Sequence, residues 1–376
     1  MKRHIPNIGF RTEKVNGQNV YGMGNIALQI AKNLIHRDDI ALYAIRSSIK
    51  SHSFYNECKG ISIPAYPKHL WDRLAPAYVR LYGLDLMHYP DHNVFPLYCK
   101  PARNVIVTIH GLMPFQVPKE MIYKPANKRM IKFLSHPKKY VNAIATVSEF
   151  SKKSIIDEFG VPSSMIHVIP NGIDISVFCP NSKLNDHTLR DNGIVPPYIL
   201  HVSNLKKVKN FETVFEVFKK LTTLYPSLKL VVAGGLPETL FNYQKLIHDS
   251  GFSERVKFLG VVIGNSLATL YREASLLLFP SYYESFGLPV LEAMACGCPV
   301  IASNIPSFKE FSAECACLFP PTDFEAMAEA SHKLLNDPGY RQKLAVRGIK
   351  LAGNYTWSVI AEKYAKLYLK IIDKQE

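Results

Sequence analysis

The 376-residue sequence contains no apolar run long enough to cross a bilayer. Its opening, Met1-Lys-Arg-His-Ile-Pro-Asn7, lacks the apolar core of a secretory leader. A cytoplasmic protein is therefore expected, peripheral at most to the inner face of the cell membrane. No internal repeat or low-complexity tract is present, which argues against a solenoid or array. Cysteine is sparse and odd in number, seven in all, which argues against a disulfide framework. The pairs Cys296/Cys298 and Cys315/Cys317 lack the C-x2-C spacing of a zinc knuckle and read as small buried residues. Acidic residues are in deficit, 31 Asp and Glu against 45 Lys and Arg, for a formal net charge of +14. That surplus suits phosphate-bearing molecules and anionic membrane surfaces. No recognised nucleic-acid-binding motif accompanies it, so nucleic acid is not expected as a partner. Gly22-Met-Gly24 misses the third glycine of the dinucleotide fingerprint, so a Rossmann dehydrogenase is not supported.

What is present is a repeated alternation of short apolar runs and amphipathic stretches. The length suits two domains. Leu84–Tyr89, Asn104–Ile109, Ala143–Val147 and the segment from Ile166 read as strands of the first. Ser148 is a good N-cap for a helix over Phe150–Glu158. From Ser176 to Pro197 the composition turns polar, and residues 179–197 read as a linker between a first domain over 1–178 and a second over 198–356. In the second, Tyr198–Val202, Leu228–Ala233, Val256–Leu259, Leu276–Phe279 and Val300–Ala302 read as strands. Asn210–Leu224 reads as a helix with Phe211, Val214, Phe215 and Phe218 on one face. Such alternation predicts an α/β protein with parallel sheets covered on both faces. A last helix, rich in Tyr and Lys, spans about Trp357–Ile372 within residues 357–376.

One stretch concentrates the chemistry. In Glu284-Ser-Phe-Gly-Leu-Pro-Val-Leu-Glu292, two glutamates are separated by seven residues that include Gly287 and Pro289. It follows a strand and opens a helix. Pro289 suits the first helical position, and Gly287 permits close backbone approach. The free N–H groups of that turn form an anion site. A diphosphate there would have a carboxylate near each end of the molecule that carries it. The spacing alone also fits an ordinary helix start with a dipole-favoured Glu. A second loop, Ser203-Asn-Leu-Lys-Lys-Val-Lys209, follows the Tyr198–Val202 strand and supplies cations.

This pattern resembles the E-x7-E signature of the retaining family-4 glycosyltransferases. The resemblance runs from about Gly17 to Tyr368 and is most specific in Val256–Phe311. It implies the GT-B fold, in which two Rossmann-like parallel-sheet domains face each other across a cleft. The first is on the acceptor side, the second binds the nucleotide sugar, and the C-terminal helix crosses back to the first domain. Carried over, Glu284 approaches the donor sugar and Glu292 holds the ribose, with Ser285, Phe286, Gly287 and Leu288 around the donor between them. Ser203 and Asn204 stand where the family commonly has Gly-Arg, and Lys209 matches the diphosphate-binding Lys. Lys does not reproduce the bidentate fork of Arg, so the departure bears on donor affinity. Backbone near Gly260-Val261 would read the base. Gly22 and Gly24 belong to an N-terminal glycine loop beside the donor phosphate. His110, where the family often has His-Asp, is followed here by Gly111, and the resemblance gives it a catalytic or sugar-binding role.

No D-x-D occurs in the chain. Metal-dependent transferases of the other major fold generally use that motif, so no metal and no cofactor are expected. Lys209 and the helix at Pro289 would then balance the leaving-group charge. The resemblance thus implies a retaining, metal-independent hexosyltransferase. It would move a mannose-, glucose- or GlcNAc-type sugar from a nucleoside diphosphate to a glycan or lipid-linked acceptor in surface polysaccharide synthesis. Two alternatives stand beside it: a GT-B nucleotide-sugar 2-epimerase, and a non-catalytic nucleotide-sugar-binding protein.

Overall fold

The computed structural model describes residues 5–12, 22–47, 53–63, 68–94, 99–122, 128–181, 187–235 and 237–374. The chain forms two units: Met1–Phe115 with Pro125–Gly172 and Trp357–Glu376, and Gln116–Lys124 with Ile173–Thr356. Strands of the first are β1 (Asn7–Arg11), β2 (Ala41–Ser47), β3 (Lys59–Ile63), β4 (Leu86–Tyr89), β5 (Asn104–Ile109), β6 (Ala143–Thr146) and β7 (Ile166–Val168). Those of the second are β8 (Tyr198–Ser203), β9 (Lys229–Gly234), β10 (Val256–Phe258), β11 (Leu276–Phe279), β12 (Val300–Ser303) and β13 (Cys317–Phe319). The helices are α1 (Met23–Leu34), α2 (Lys68–Arg80), α3 (Met113–Gln116), α4 (Lys128–Ser135), α5 (Glu149–Phe159), α6 (Thr188–Asp191), α7 (Phe211–Thr222), α8 (Pro237–Asp249), α9 (Gly264–Glu273), α10 (Leu288–Ala295), α11 (Pro306–Ser312), α12 (Phe324–Asn336), α13 (Pro338–Ala352) and α14 (Trp357–Asp373). The sheet orders are β3-β2-β1-β4-β5-β6-β7 and β10-β9-β8-β11-β12-β13.

Each ladder is parallel, as buried apolar strands joined by helices require. Every residue of β5 and β11 is buried. Phe211, Val214 and Phe218 of α7 press onto Ile199, Leu230 and Val232 of the second sheet. Each such side chain contributes about 1.5–3 kcal/mol by leaving water. In both sheets the order of strands reverses once, between β1 and β4 and between β8 and β11. The loops after those strands' C-terminal ends are where open α/β sheets bind ligands.

Helix α14 packs on α1 in the first unit, as the resemblance implies. A buried polar chain fixes it there. His88 of β4 bonds the Tyr368 hydroxyl through Nδ1 (2.7 Å) and the Thr108 hydroxyl through Nε2 (2.8 Å), and Thr108 in turn meets the Tyr364 hydroxyl (3.2 Å). Burial lowers the His88 pKa to about 3, so the ring stays neutral. Asn171-Gly172 reads as a turn in sequence, and the structure adds a packing reason for the glycine. A Cβ on Gly172 would meet the Trp357 ring at 2.6 Å. Tyr368→Phe should leave His88 Nδ1 unpaired and cost about 1–3 kcal/mol, read as a lower urea midpoint with an unchanged slope.

Candidate active site

The second unit assembles its site from two loops at the β8/β11 reversal. Lys209 Nζ forms an ion pair with Glu284 Oε1, and the Ser281 hydroxyl donates to the same oxygen (3.1 Å). Both charged side chains are largely shielded, with exposures of 18% and 13%. The ammonium also lies 5.7 Å from the centre of the Phe279 ring. Two links hold the loops together, and a third ties them to the segment after β13. Tyr282 N–H donates to Val208 O (2.9 Å), and Asn210 Nδ2 donates to Pro280 O (2.9 Å) and Pro321 O (2.7 Å). Asn210, in the left-handed region at φ 56, is the N-cap residue of α7, but its side chain makes no capping bond to the helix. Its buried amide instead crosslinks the site.

Gly287, at φ 103, is the N-cap of α10. A Cβ there would meet Phe308 Cε1 at 2.3 Å, so both backbone and packing demand glycine. The helix begins at Leu288, one residue before Pro289, so the proline occupies its second position. Gly287→Ala should cost about 3 kcal/mol or more, combining left-handed strain with overpacking. Chemical denaturation followed by tryptophan fluorescence would measure it.

Glu292 lies one turn into α10, facing α9. The Tyr271 hydroxyl donates to its Oε2 (3.0 Å). The residue keeps some solvent contact, yet burial of the carboxyl raises its pKa from 4.5 to about 7, with the Tyr271 bond opposing the rise.

The remaining candidates are placed as follows. Ser203 ends β8, but its hydroxyl is engaged by His201 Nε2 (2.8 Å) and by Leu205 N–H (3.0 Å). Asn204 is exposed, and its Oδ1 accepts from Lys206 N–H (3.2 Å), a loop-shaping bond. Val261, 63% exposed, follows Gly260, whose carbonyl accepts from Gly234 N–H (2.5 Å). The Ser285 hydroxyl donates to Tyr283 Oη (3.4 Å). Phe286 is buried, its ring stacked on Phe311 with centroids 5.1 Å apart, which leaves its backbone for any ligand contact. The seven cysteines are free thiols; Cys296 and Cys298 are buried, which pushes the Cys296 thiol up to about 12. Among the described residues no group of three or more His, Cys, Asp or Glu is arranged to hold a metal ion.

In the first unit, His110 directly follows β5, and its Nε2–H donates to Pro90 O (2.7 Å) at the end of β4. That bond selects the tautomer and turns Nδ1 into the acceptor. Gly22 is the N-cap of α1 at φ 53, and Gly24 is buried in its first turn. The rest of that glycine-rich segment, residues 13–21, lies outside the described residues. Sequence reasoning missed His201 and Asn210. Each is a polar residue beside an apolar run, and that is the one signal they leave.

Two parallel-sheet Rossmann-like units with a returning terminal helix make the GT-B fold. A crystal structure of Anabaena HepE with UDP and glucose superposes with a TM-score of 0.76 over 97% of this chain and 100% of that one, at 16% identity. Sucrose-phosphate synthase from Thermosynechococcus elongatus gives 0.75 over 98% and 100%, at 20% identity. In sequence, residues 20–177 match the model for Glycosyltransferase Family 4, and residues 189–351 match that for Glycosyl transferases group 1. The chain belongs to this glycosyltransferase family. It is 28% identical to O-antigen chain mannosyltransferase B of Escherichia coli over 73% of its own length and 72% of that protein's. With O-antigen chain mannosyltransferase RfbU of Salmonella typhimurium it shares 30% identity over 64% and 62% of the two lengths. No helix among the described residues is long and apolar enough to cross a membrane.

Proposed function

We propose that this glycosyltransferase is retaining and metal-independent, and that it moves a hexose from a nucleoside diphosphate sugar to a glycan or lipid-linked acceptor. The observation that carries this reading is the shielded Lys209–Glu284 pair at the sheet's reversal point. The N-terminus of α10 opens on the loop that carries Glu284. Departure of a nucleoside diphosphate leaves negative charge on the phosphate and positive charge on the sugar ring. Lys209 and the N–H groups at Gly287 and Leu288 meet the first. Glu284 orients the sugar and steadies the second. The acceptor attacks the face that the phosphate vacates, the glycosidic bond to phosphate breaks, and a phosphate oxygen takes the acceptor's proton. Glu292 accepts from the ribose hydroxyls. His110 Nδ1, the acceptor nitrogen of the tautomer that the bond at Nε2 selects, accepts from a sugar hydroxyl. The O-antigen mannosyltransferase relatives support a mannose-type sugar and a surface-polysaccharide acceptor. The net charge of +14 supports peripheral contact with an anionic membrane from the cytoplasmic side.

Exposed Asn204, where the family commonly has Arg, favours one second reading: a protein that binds the donor without turnover. Purified protein given GDP-mannose, UDP-glucose, UDP-GlcNAc or ADP-glucose, with and without lipid-linked saccharides, decides between the two. Release of nucleoside diphosphate that requires Glu284 and Lys209 supports transfer. Binding without release supports the second reading, and neither binding nor release sinks both.

A further inference from the structure

A buried histidine lies under the two loops of the donor site. His201 of β8 has no solvent exposure. Its Nδ1–H donates to Leu278 O of β11 (2.9 Å), just before Phe279 and the loop that carries Glu284. Its Nε2 faces the Ser203 hydroxyl at 2.8 Å. Because Nδ1 holds the proton, Nε2 is an acceptor and Ser203 is the donor. The Ser203 oxygen keeps its lone pairs and accepts from Leu205 N–H at 3.0 Å. Leu205 is a non-glycine residue at φ 55, a conformation that needs outside support. From Leu205 the loop runs into the turn that carries Lys209, whose N–H donates to Lys206 O (2.7 Å). The chain of bonds therefore has one direction: β11 carbonyl, imidazole, serine, loop.

Burial, opposed by the bond to Leu278 O and aided by nearby Lys209, pushes the His201 pKa down to about 4, so the ring is neutral and the direction of the chain holds near neutral pH. The imidazole also shares its floor with the cation. The His201 ring lies 6.0 Å from the Phe279 ring, over which Lys209 sits. The Ser203 backbone lies close against β9: its carbonyl is 2.1 Å from where a Cβ on Gly234 would be, so only glycine fits at 234. A hydroxyl spent in this way supports the loop; it does not reach for donor phosphate.

We propose that His201 is a positioning residue of the donor site, holding the Ser203–Lys209 loop through the Ser203 hydroxyl so that Lys209 meets the diphosphate. This rests on the donor-site reading above. Asparagine and glutamine each copy one half of the imidazole. His201→Asn keeps a donor near Nδ1 for Leu278 O and loses the bond from Ser203. His201→Gln keeps an acceptor near Nε2 for Ser203 and loses the bond to Leu278 O. Each breaks one buried hydrogen bond, so their urea midpoints should fall alike.

Binding of UDP, GDP and ADP to the full chain is measured by titration calorimetry. His201→Asn should weaken the best-bound nucleotide about tenfold and His201→Gln about twofold or less. Equal weakening by both, or no weakening by His201→Asn, overturns the proposal. Should either variant fail to fold, Ser203→Ala carries the test. The same roughly tenfold loss supports the proposal, and unchanged affinity overturns it. If the unaltered chain binds none of the three nucleotides, the donor-site reading itself falls and takes this one with it.

Discussion

Lys209→Met is expected to lower kcat/KM for the sugar donor by about 10²–10³-fold, the usual effect of removing one preorganised charge from a developing oxyanion. The size follows from how the charge is held. Lys209 is shielded, lies over the Phe279 ring and pairs with a single carboxylate. An exposed lysine would be screened and worth far less. Glu284→Gln then separates two roles that share one ammonium. In the structure Glu284 is paired with Lys209, the cation proposed to meet the diphosphate, so on that proposal a nucleoside diphosphate must displace it. The Gln variant should therefore bind UDP, GDP or ADP about tenfold more tightly than the unaltered chain, through relief of that competition. It should at the same time lose transfer, because the sugar loses its carboxylate. Calorimetry gives the first quantity and product release the second. Weaker nucleotide binding by Glu284→Gln would refute the competition.

Glu292→Gln should stabilise the protein and impair it. The carboxyl's folded pKa, about 7, stands above its ordinary 4.5. The protonated folded state is favoured, so the associated stability is full below pH 4.5 and is lost as pH rises through about 7. Above that, the chain holds a buried carboxylate without a cation. Gln cannot ionise, and its carbonyl still accepts from the Tyr271 hydroxyl. The rise in pKa corresponds to up to about 3 kcal/mol, so Glu292→Gln should gain roughly 2–3 kcal/mol at pH 8 and nothing at pH 4. Urea unfolding at the two pH values measures the difference. A flat comparison would mean that the carboxylate finds compensation in the folded chain. The same variant should bind nucleoside diphosphate less well, since the ionised carboxylate is the better acceptor for ribose hydroxyls. For the unaltered chain, nucleotide affinity should rise with pH through about 7. On the proposed ribose-binding role of Glu292, this is stability conceded for function, the usual form of such a trade.

The parts of the fold legible in sequence are those set by local pattern. Asn104–Ile109 and Leu276–Phe279 read as strands and are strands to the residue, because uninterrupted apolar runs have one home in a parallel sheet. Ser148 reads as an N-cap and accepts from Ser151 N–H. The helix read over Asn210–Leu224 is shorter, Phe211–Thr222, because Asn210 adopts a left-handed backbone and its amide is used elsewhere. Within the stretch read as linker, Thr188–Asp191 forms a turn of helix beside α9. Positions of the candidate residues were legible where a motif fixed them. What they bond to was not. Lys209 and Glu284 are 75 residues apart, and His201 and Leu278 O are 77 apart. Neither pairing leaves a periodicity, since each depends on which strands lie side by side.

The docking of α14 on the first unit has a consequence for how the chain is made. His88 and Thr108 are synthesised early, but their partners Tyr364 and Tyr368 follow about two hundred and fifty residues or more behind them. At ribosomal speeds of about 5–20 residues per second, that slot stays open for tens of seconds. The second unit, Gln116–Lys124 with Ile173–Thr356, is fully synthesised first and can fold while the first still waits. A premature stop before Trp357 would therefore leave the earlier-made unit as the damaged one, with an aromatic, polar-lined gap where α14 belongs.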